Sequence, residues 1–244
     1  MDVASDPRAA LPITGERTVP GVWHENYWFR RHEAVYVAAA IELGDAVVLE
    51  AGCGEGYGAQ LLAKKARRVV AMDYDEYAIA HVGRAYPALI VVRGNLVALP
   101  YADDTYDVVV SLQTVEHLWD QDEFVAECRR VLRPGGQLIL STPNRLTFPP
   151  GNWYHTRELT TAELTDLVAD HLRVEQVAGL WHGPRLTAWE SEHGSCVTAQ
   201  LAGPPETWPP GLTALVRSTT YADFTIRPAD DTALDLLLVA VRGG

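Results

Sequence analysis

Short apolar runs separated by helix-patterned segments constrain this chain more than any other feature. Residues 47–50, 68–72, 89–92, 107–112 and 137–141 are rich in Val, Ile and Leu and nearly continuous rather than alternating. That is the signature of strands buried on both faces. Between them, residues 57–66, 76–86 and 121–132 carry apolar side chains at helical spacing, the last stopped by Arg133-Pro134-Gly135-Gly136. Strands alternating with crossover helices predict an α/β fold, a doubly wound, Rossmann-like parallel sheet. A further helix over 25–43, ended by Gly44, follows a Pro- and Gly-containing arm of about twenty residues.

After Asn144 the alternation loosens. Residues 160–170 read as a helix, 172–177 as a strand, and 234–242 as a last strand expected at or near the sheet edge. With 244 residues and 48% hydrophobic composition, one substantial core and a single domain are expected. Its parts are an N-terminal arm and helix (1–45), a cofactor-binding core (46–180), an insertion (181–231) and the last strand (232–244). The insertion holds Trp181, Trp189, Trp208 and Tyr221. A connection that long in a compact domain is usually functional or disordered, and its aromatics favour a packed lid.

The stretch Val48-Leu49-Glu50-Ala51-Gly52-Cys53-Gly54-Glu55-Gly56-Tyr57 places a glycine-rich turn directly after the first strand. Such a turn lets backbone approach an adenosine-containing ligand. A dinucleotide fingerprint separates its second and third glycines by two residues, whereas here Gly52, Gly54 and Gly56 alternate. Glu50 stands two residues before the first glycine, a poor place for facing a diphosphate and a good one near a cationic ligand. Asp73, 21 residues after Gly52 and at the end of the second strand, is placed to accept both ribose hydroxyls. An adenosyl sulfonium meets both conditions; a pyrophosphate-linked dinucleotide does not.

With these residues the chain resembles the class I S-adenosylmethionine-dependent methyltransferases over about residues 46–144. The likeness extends through Gly94-Asn95-Leu96, Tyr106-Asp107-Val108-Val109-Val110-Ser111, Val115-Glu116-His117-Leu118 and Leu132-Arg133-Pro134-Gly135-Gly136. It implies S-adenosyl-L-methionine as cofactor and a methyltransferase activity. It also implies cofactor contacts from Glu50, Gly52, Cys53, Gly54, Gly56, Asp73, Asn95, Leu96 and Gln113. Asn95 would face the adenine amino group, although many members carry Asp there. Tyr57 and Tyr74 either flank the methionine tail and adenine or are helix-start and loop-edge aromatics.

Outside that core, Thr14-Gly15-Glu16-Arg17-Thr18-Val19-Pro20, Glu25-Asn26-Tyr27-Trp28-Phe29-Arg30-Arg31-His32, Ser141-Thr142-Pro143-Asn144-Arg145 and His155-Thr156-Arg157-Glu158 resemble actinobacterial sugar O-methyltransferases, in particular those of mycobacterial methylglucose and methylmannose polysaccharide biosynthesis. The resemblance implies a sugar or oligosaccharide acceptor. The alternatives are O-methylation of a quinone-like or natural-product phenol, and a non-catalytic member of the fold that binds without turnover.

Transfer to a hydroxyl is an in-line displacement that a nearby base assists. His117 and His155 both follow strand ends on the side where open α/β sheets bind ligands, and they are the candidate bases. Tyr27, Arg31, Arg145 and His182 are the candidate acceptor ligands. In related quinone and RNA methyltransferases a Glu-x-x-Glu-His block supplies metal ligands. Here its first position is Gln113, so no metal is expected.

The formal net charge of −12 argues against a nucleic-acid partner. Cys53, Cys128 and Cys196 are scattered without a CxxC, which indicates neither a zinc site nor a disulfide framework and suits a reducing cytosol. The first residues lack a signal-peptide layout and no apolar run reaches spanning length, so a cytoplasmic protein without membrane association is expected, with homo-oligomers possible.

Overall fold

The computed structural model describes residues 17–41 and 43–244. Most of the expected loose arm, with Thr14, Gly15 and Glu16, lies outside them. A 3-10 turn at Trp23–Glu25 leads into α1 (Asn26–Ile41). The core then runs β1 (Val47–Ala51), α2 (Tyr57–Leu62), β2 (Arg68–Asp73), α3 (Glu76–Ala85), β3 (Ile90–Arg93), β4 (Tyr106–Leu112), α4 (Gln121–Val131), β5 (Leu132–Pro143), α5 (Thr161–Ala169) and β6 (Arg173–His182). The insertion supplies α6 (Pro184–His193), α7 (Cys196–Leu201), α8 (Pro210–Ser218) and β7 (Phe224–Pro228). β8 (Asp235–Val241) completes the sheet.

The eight strands lie in the order β3-β2-β1-β4-β5-β8-β6-β7. Strands β1 to β5 are mutually parallel, as the buried apolar runs require. The remainder departs from the expectation of a parallel sheet with the last strand near its edge. β8 runs antiparallel between β5 and β6, and β7 pairs antiparallel to β6. The reason is burial. Leu236, Leu238 and Ala240 pack into one face and Leu237 into the other, which suits an interior strand. β7, five residues long with only Phe224 buried, takes the edge.

Side chains alternate across the strands, so the sheet carries two apolar layers. One face packs Val48, Val110 and Ile139 against α1, α2 and the insertion, through Leu186, Cys196 and Leu212 of its helices and Phe224 of β7. The other packs Leu49, Val109, Leu138 and Leu140 against Phe124 and Cys128 of α4 and Leu164 of α5. The 181–231 segment is therefore a packed layer built against α1. Among the described residues, no helix is long and apolar enough to cross a membrane.

Candidate active site

The glycine loop is shaped by its own backbone. Gly52, Gly54 and Gly56 all have positive φ, at 90°, 49° and 84°, a region costly for any residue with a Cβ. At Gly52 a Cβ would also lie 2.4 Å from the Thr114 hydroxyl oxygen. The amides of Gly52 and Cys53 both donate to the Met72 carbonyl at 2.9 Å, and that of Gly54 donates to the Asp73 carboxylate at 2.8 Å. These amides are turned onto β2 rather than presented to a diphosphate.

Asp73 accepts one amide on each oxygen, from Gly54 and from Asp75 at 3.0 Å. Burial raises its pKa, and these amides oppose the rise. Each carboxylate oxygen keeps a second lone-pair direction, so hydroxyl donors can still be bound. A glycine-lined backbone with a fixed acceptor at the end of β2 therefore fits an adenosyl ribose.

Glu50 is fully buried, and neither carboxylate oxygen makes a well-formed hydrogen bond. The Tyr36 hydroxyl and the Ala59 amide lie near enough to lower its pKa, but burial wins and lifts it to about 8. Room for this carboxyl comes from Gly58, where a Cβ would sit 2.3 Å from the Glu50 oxygen and 2.2 Å from the Tyr36 ring. Glu50 thus underlies the loop between β1, α1 and α2. Cys53 is buried, and burial drives its thiol pKa well up, as befits a packing residue rather than a nucleophile.

The Tyr57 hydroxyl bonds Thr18 at 3.0 Å and lies 3.3 Å from His32 Nδ1, which ties the loop to the N-terminal segment. Tyr74 is exposed, and its carbonyl accepts from Arg93. Asn95 accepts the Val97 amide at 3.1 Å in a local turn, and Leu96 is buried beside it. Gln113 is held at φ 53°, unusual for a residue with a side chain. Its amide donates to the Ser141 carbonyl at 2.9 Å and its side chain to the Ser141 hydroxyl at 3.3 Å. The turn that follows β4 is thereby anchored on β5.

The two candidate bases come together, with ring centroids 4.9 Å apart, but their hydrogen bonds separate their roles. His117 Nδ1 faces the Tyr154 carbonyl at 2.9 Å. A carbonyl only accepts, so Nδ1 carries the proton and the neutral ring has its lone pair on Nε2. His155 Nδ1 donates to Glu158 at 2.7 Å, while its Nε2 accepts from the Asn152 side chain at 3.0 Å. The Asn152 orientation is fixed because its oxygen accepts the Tyr154 amide. Both nitrogens of His155 thus have partners within its own loop. It orients the loop beside His117.

Glu116, fully inside, accepts from the Thr142 hydroxyl at 3.0 Å, and burial raises its pKa to about 8. Its other oxygen lies 4.0 Å from His117 Nε2. Glu116, His117 and His155 each place a ligating atom within 4.8 Å of the others, and His182, Glu190 and Cys196 form a second such group. A cation at the first would have to displace Asn152 or Glu158 from His155.

The expected acceptor ligands divide. Arg31, 2% exposed, makes a double ion pair with Asp235 at 2.6 and 2.7 Å and also donates to the Leu234 carbonyl. It fastens α1 to β8. Tyr27 is buried, with its hydroxyl 2.6 Å from His182 Nε2. Because His182 Nδ1 donates to Glu190 at 2.9 Å, the tyrosine is the donor to Nε2. Arg145 turns away to pair with Glu163 of α5 at 2.9 Å. Tyr27 and Arg31 lie inside the structure, whereas Arg145 stays at the surface. His182 alone of the four also borders a cavity of about 310 Å³, together with Thr147, Glu190 and Thr198.

Known proteins share this chain's family and fold. A family described as "Methyltransferase domain" matches residues 49–140. A protein of Mycolicibacterium smegmatis described as a "Probable S-adenosylmethionine-dependent methyltransferase" is 50% identical over 247 residues, covering 96% of each chain. A ubiquinone biosynthesis O-methyltransferase of Mesorhizobium japonicum is 35% identical over 102 residues, 40% of this chain and 41% of that one. Among solved structures, an S-adenosylmethionine-dependent methyltransferase from Mesorhizobium loti superposes with TM-score 0.56 at 18% identity, over 87% of this chain and 98% of that one. That likeness is one of fold.

Proposed function

The chain belongs to the S-adenosylmethionine-dependent methyltransferases, and from that premise we propose that it O-methylates a hydroxyl of a sugar or oligosaccharide, with His117 as proton acceptor. When bound, S-adenosylmethionine supplies an electrophilic methyl group on a sulfonium. Asp73 accepts the ribose hydroxyls, the glycine backbone admits the adenosyl moiety, and Asn95 and Leu96 border the adenine. Gln113 closes the methionine end from its strained turn.

The observation that carries the proposal is the tautomer of His117. Its Nδ1–H is fixed on the Tyr154 carbonyl, so Nε2 can take the proton of an attacking hydroxyl. The imidazolium that results stands 4.0 Å from the Glu116 carboxyl, which then favours ionising. An alkyl hydroxyl, nearly unionised at neutral pH, gains from such a base. A phenol ionises more readily and gains less. The sugar-methyltransferase resemblance of the flanking blocks supports the same choice.

The test is acceptor identity. Incubation with S-adenosylmethionine and either gluco- and manno-oligosaccharides or catechol-type phenols, read by mass spectrometry, is expected to give methylated sugar as the faster product. Methylated phenol with unmodified sugar would overturn the proposal.

A further inference from the structure

Two indoles of this chain lie almost wholly in solvent. Trp119 is 92% exposed and Trp153 98%, whereas the other five tryptophans are buried or half-buried. An indole in water forgoes a large apolar contact, and two of them on loops beside a candidate base suit an interaction surface. Both stand next to the proposed base. Trp153 precedes Tyr154, whose carbonyl accepts from His117. Trp119 follows Leu118, whose carbonyl accepts the Thr156 hydroxyl at 2.7 Å, and the Thr156 amide in turn donates to the Glu116 carbonyl at 2.7 Å. The two loops are stitched together around His117.

Charge selects the kind of ligand. Trp119 directly precedes the acidic start of α4, with Asp120, Asp122 and Glu123, of which Asp122 pairs with His171, while Arg145 and Arg157 share Glu163. An acidic rim repels anionic lipid and nucleic acid. An indole flanked by carboxylates suits a neutral ring that offers C–H faces for stacking and hydroxyls as donors. We propose that Trp119 and Trp153 form a stacking platform for the sugar residues adjoining the one methylated, so that the preferred acceptor is an uncharged oligosaccharide rather than a monosaccharide. This rests on the carbohydrate reading of the acceptor.

The experiment uses the full chain with methyl α-mannoside, methyl α-glucoside, mannotetraose and maltotetraose as acceptors. Trp119→Ala and Trp153→Ala are compared with the corresponding Phe substitutions. For the wild type, KM is expected to fall roughly tenfold or more from monosaccharide to tetrasaccharide. Each Ala variant should raise the tetrasaccharide KM by roughly tenfold, with partial recovery in Phe, because a stacked aromatic carries about that factor. Monosaccharide KM, kcat, S-adenosylhomocysteine affinity and melting temperature should hold. Tetrasaccharide should also shift the indole emission of the S-adenosylhomocysteine complex, and the double Ala variant should abolish the shift. Equal KM for wild type and variants would overturn the platform while leaving sugar methylation standing, as would Ala variants whose only change is in sedimentation, which would mark a contact between copies. If the wild type methylates no sugar of any length but does methylate a phenol, the carbohydrate reading falls and the platform with it.

Discussion

The two halves of this sheet hold their sites by different means. Around β1 and β2 the site is made of backbone: three left-handed glycines, amides turned onto Met72 and Asp73, and one carboxylate. Around β5, β8 and β6 it is made of side chains from distant segments. Arg31 reaches Asp235 across 204 residues, and Tyr27, His182 and Glu190 form a relay from α1 through β6 to α6. The first half presents a fixed backbone shape. The second is a bracket in which side chains can change without altering the chain's course.

The largest stability effect should come from breaking that bracket. Asp235→Ala leaves the Arg31 guanidinium buried without its carboxylate, a loss of about 3–5 kcal/mol, or roughly 10 °C in Tm for a chain of this size. Thermal melts measure it. A change of only a degree or two would mean that α1 is held to β8 by apolar packing alone.

A smaller effect, from one buried glutamate under the glycine loop and one beside His117, appears as a slope against pH. Folded, Glu50 and Glu116 keep their protons to about pH 8, whereas the ordinary glutamate releases its proton near 4.5. Between those values the folded chain binds more protons than the unfolded one, so stability falls as pH rises. His32, lowered to about 4 by burial, opposes this with one proton between about pH 4 and its ordinary 6.5. Tm should therefore decline most clearly from pH 6.5 to 8, and Glu50→Gln should flatten the decline. An unchanged slope in that variant would show that Glu50 is already ionised.

The same contrast explains what the sequence revealed. Gly52, Gly54, Gly56 and Asp73 were legible because a positive-φ turn and its strand-end acid form a local pattern. The strands β1 to β5 were legible because burial on both faces leaves continuous apolar runs. Gly58 and Thr114 were not singled out, since their roles come from contact with Glu50 and with Gly52 across the fold. The left-handed backbone of Gln113 leaves no mark in composition. Arg31 and Tyr27 looked like ligands because aromatic and Arg residues clustered on one helix, and only Asp235 and His182 showed where their polar atoms go. The interior place of β8 could have been suspected from Leu236, Leu237 and Leu238, a run too apolar for an edge. For His155, both nitrogen partners sit within three residues, at Asn152 and Glu158, but their use depended on the loop's shape.

The central claim is that one half binds the cofactor while His117 in the other performs the proton transfer, and it is tested most directly by measuring two quantities on two variants. S-adenosylhomocysteine affinity by calorimetry and single-turnover methyl transfer to mannotetraose should be determined for Asp73→Ala and His117→Gln. Asp73→Ala should weaken the affinity by roughly ten- to a hundredfold, as the loss of a charged hydrogen bond does. His117→Gln should leave the affinity unchanged and slow transfer by about 10²–10⁴-fold. Transfer by His117→Gln within a few-fold of wild type, at saturating cofactor and with a normal melt, would contradict the account.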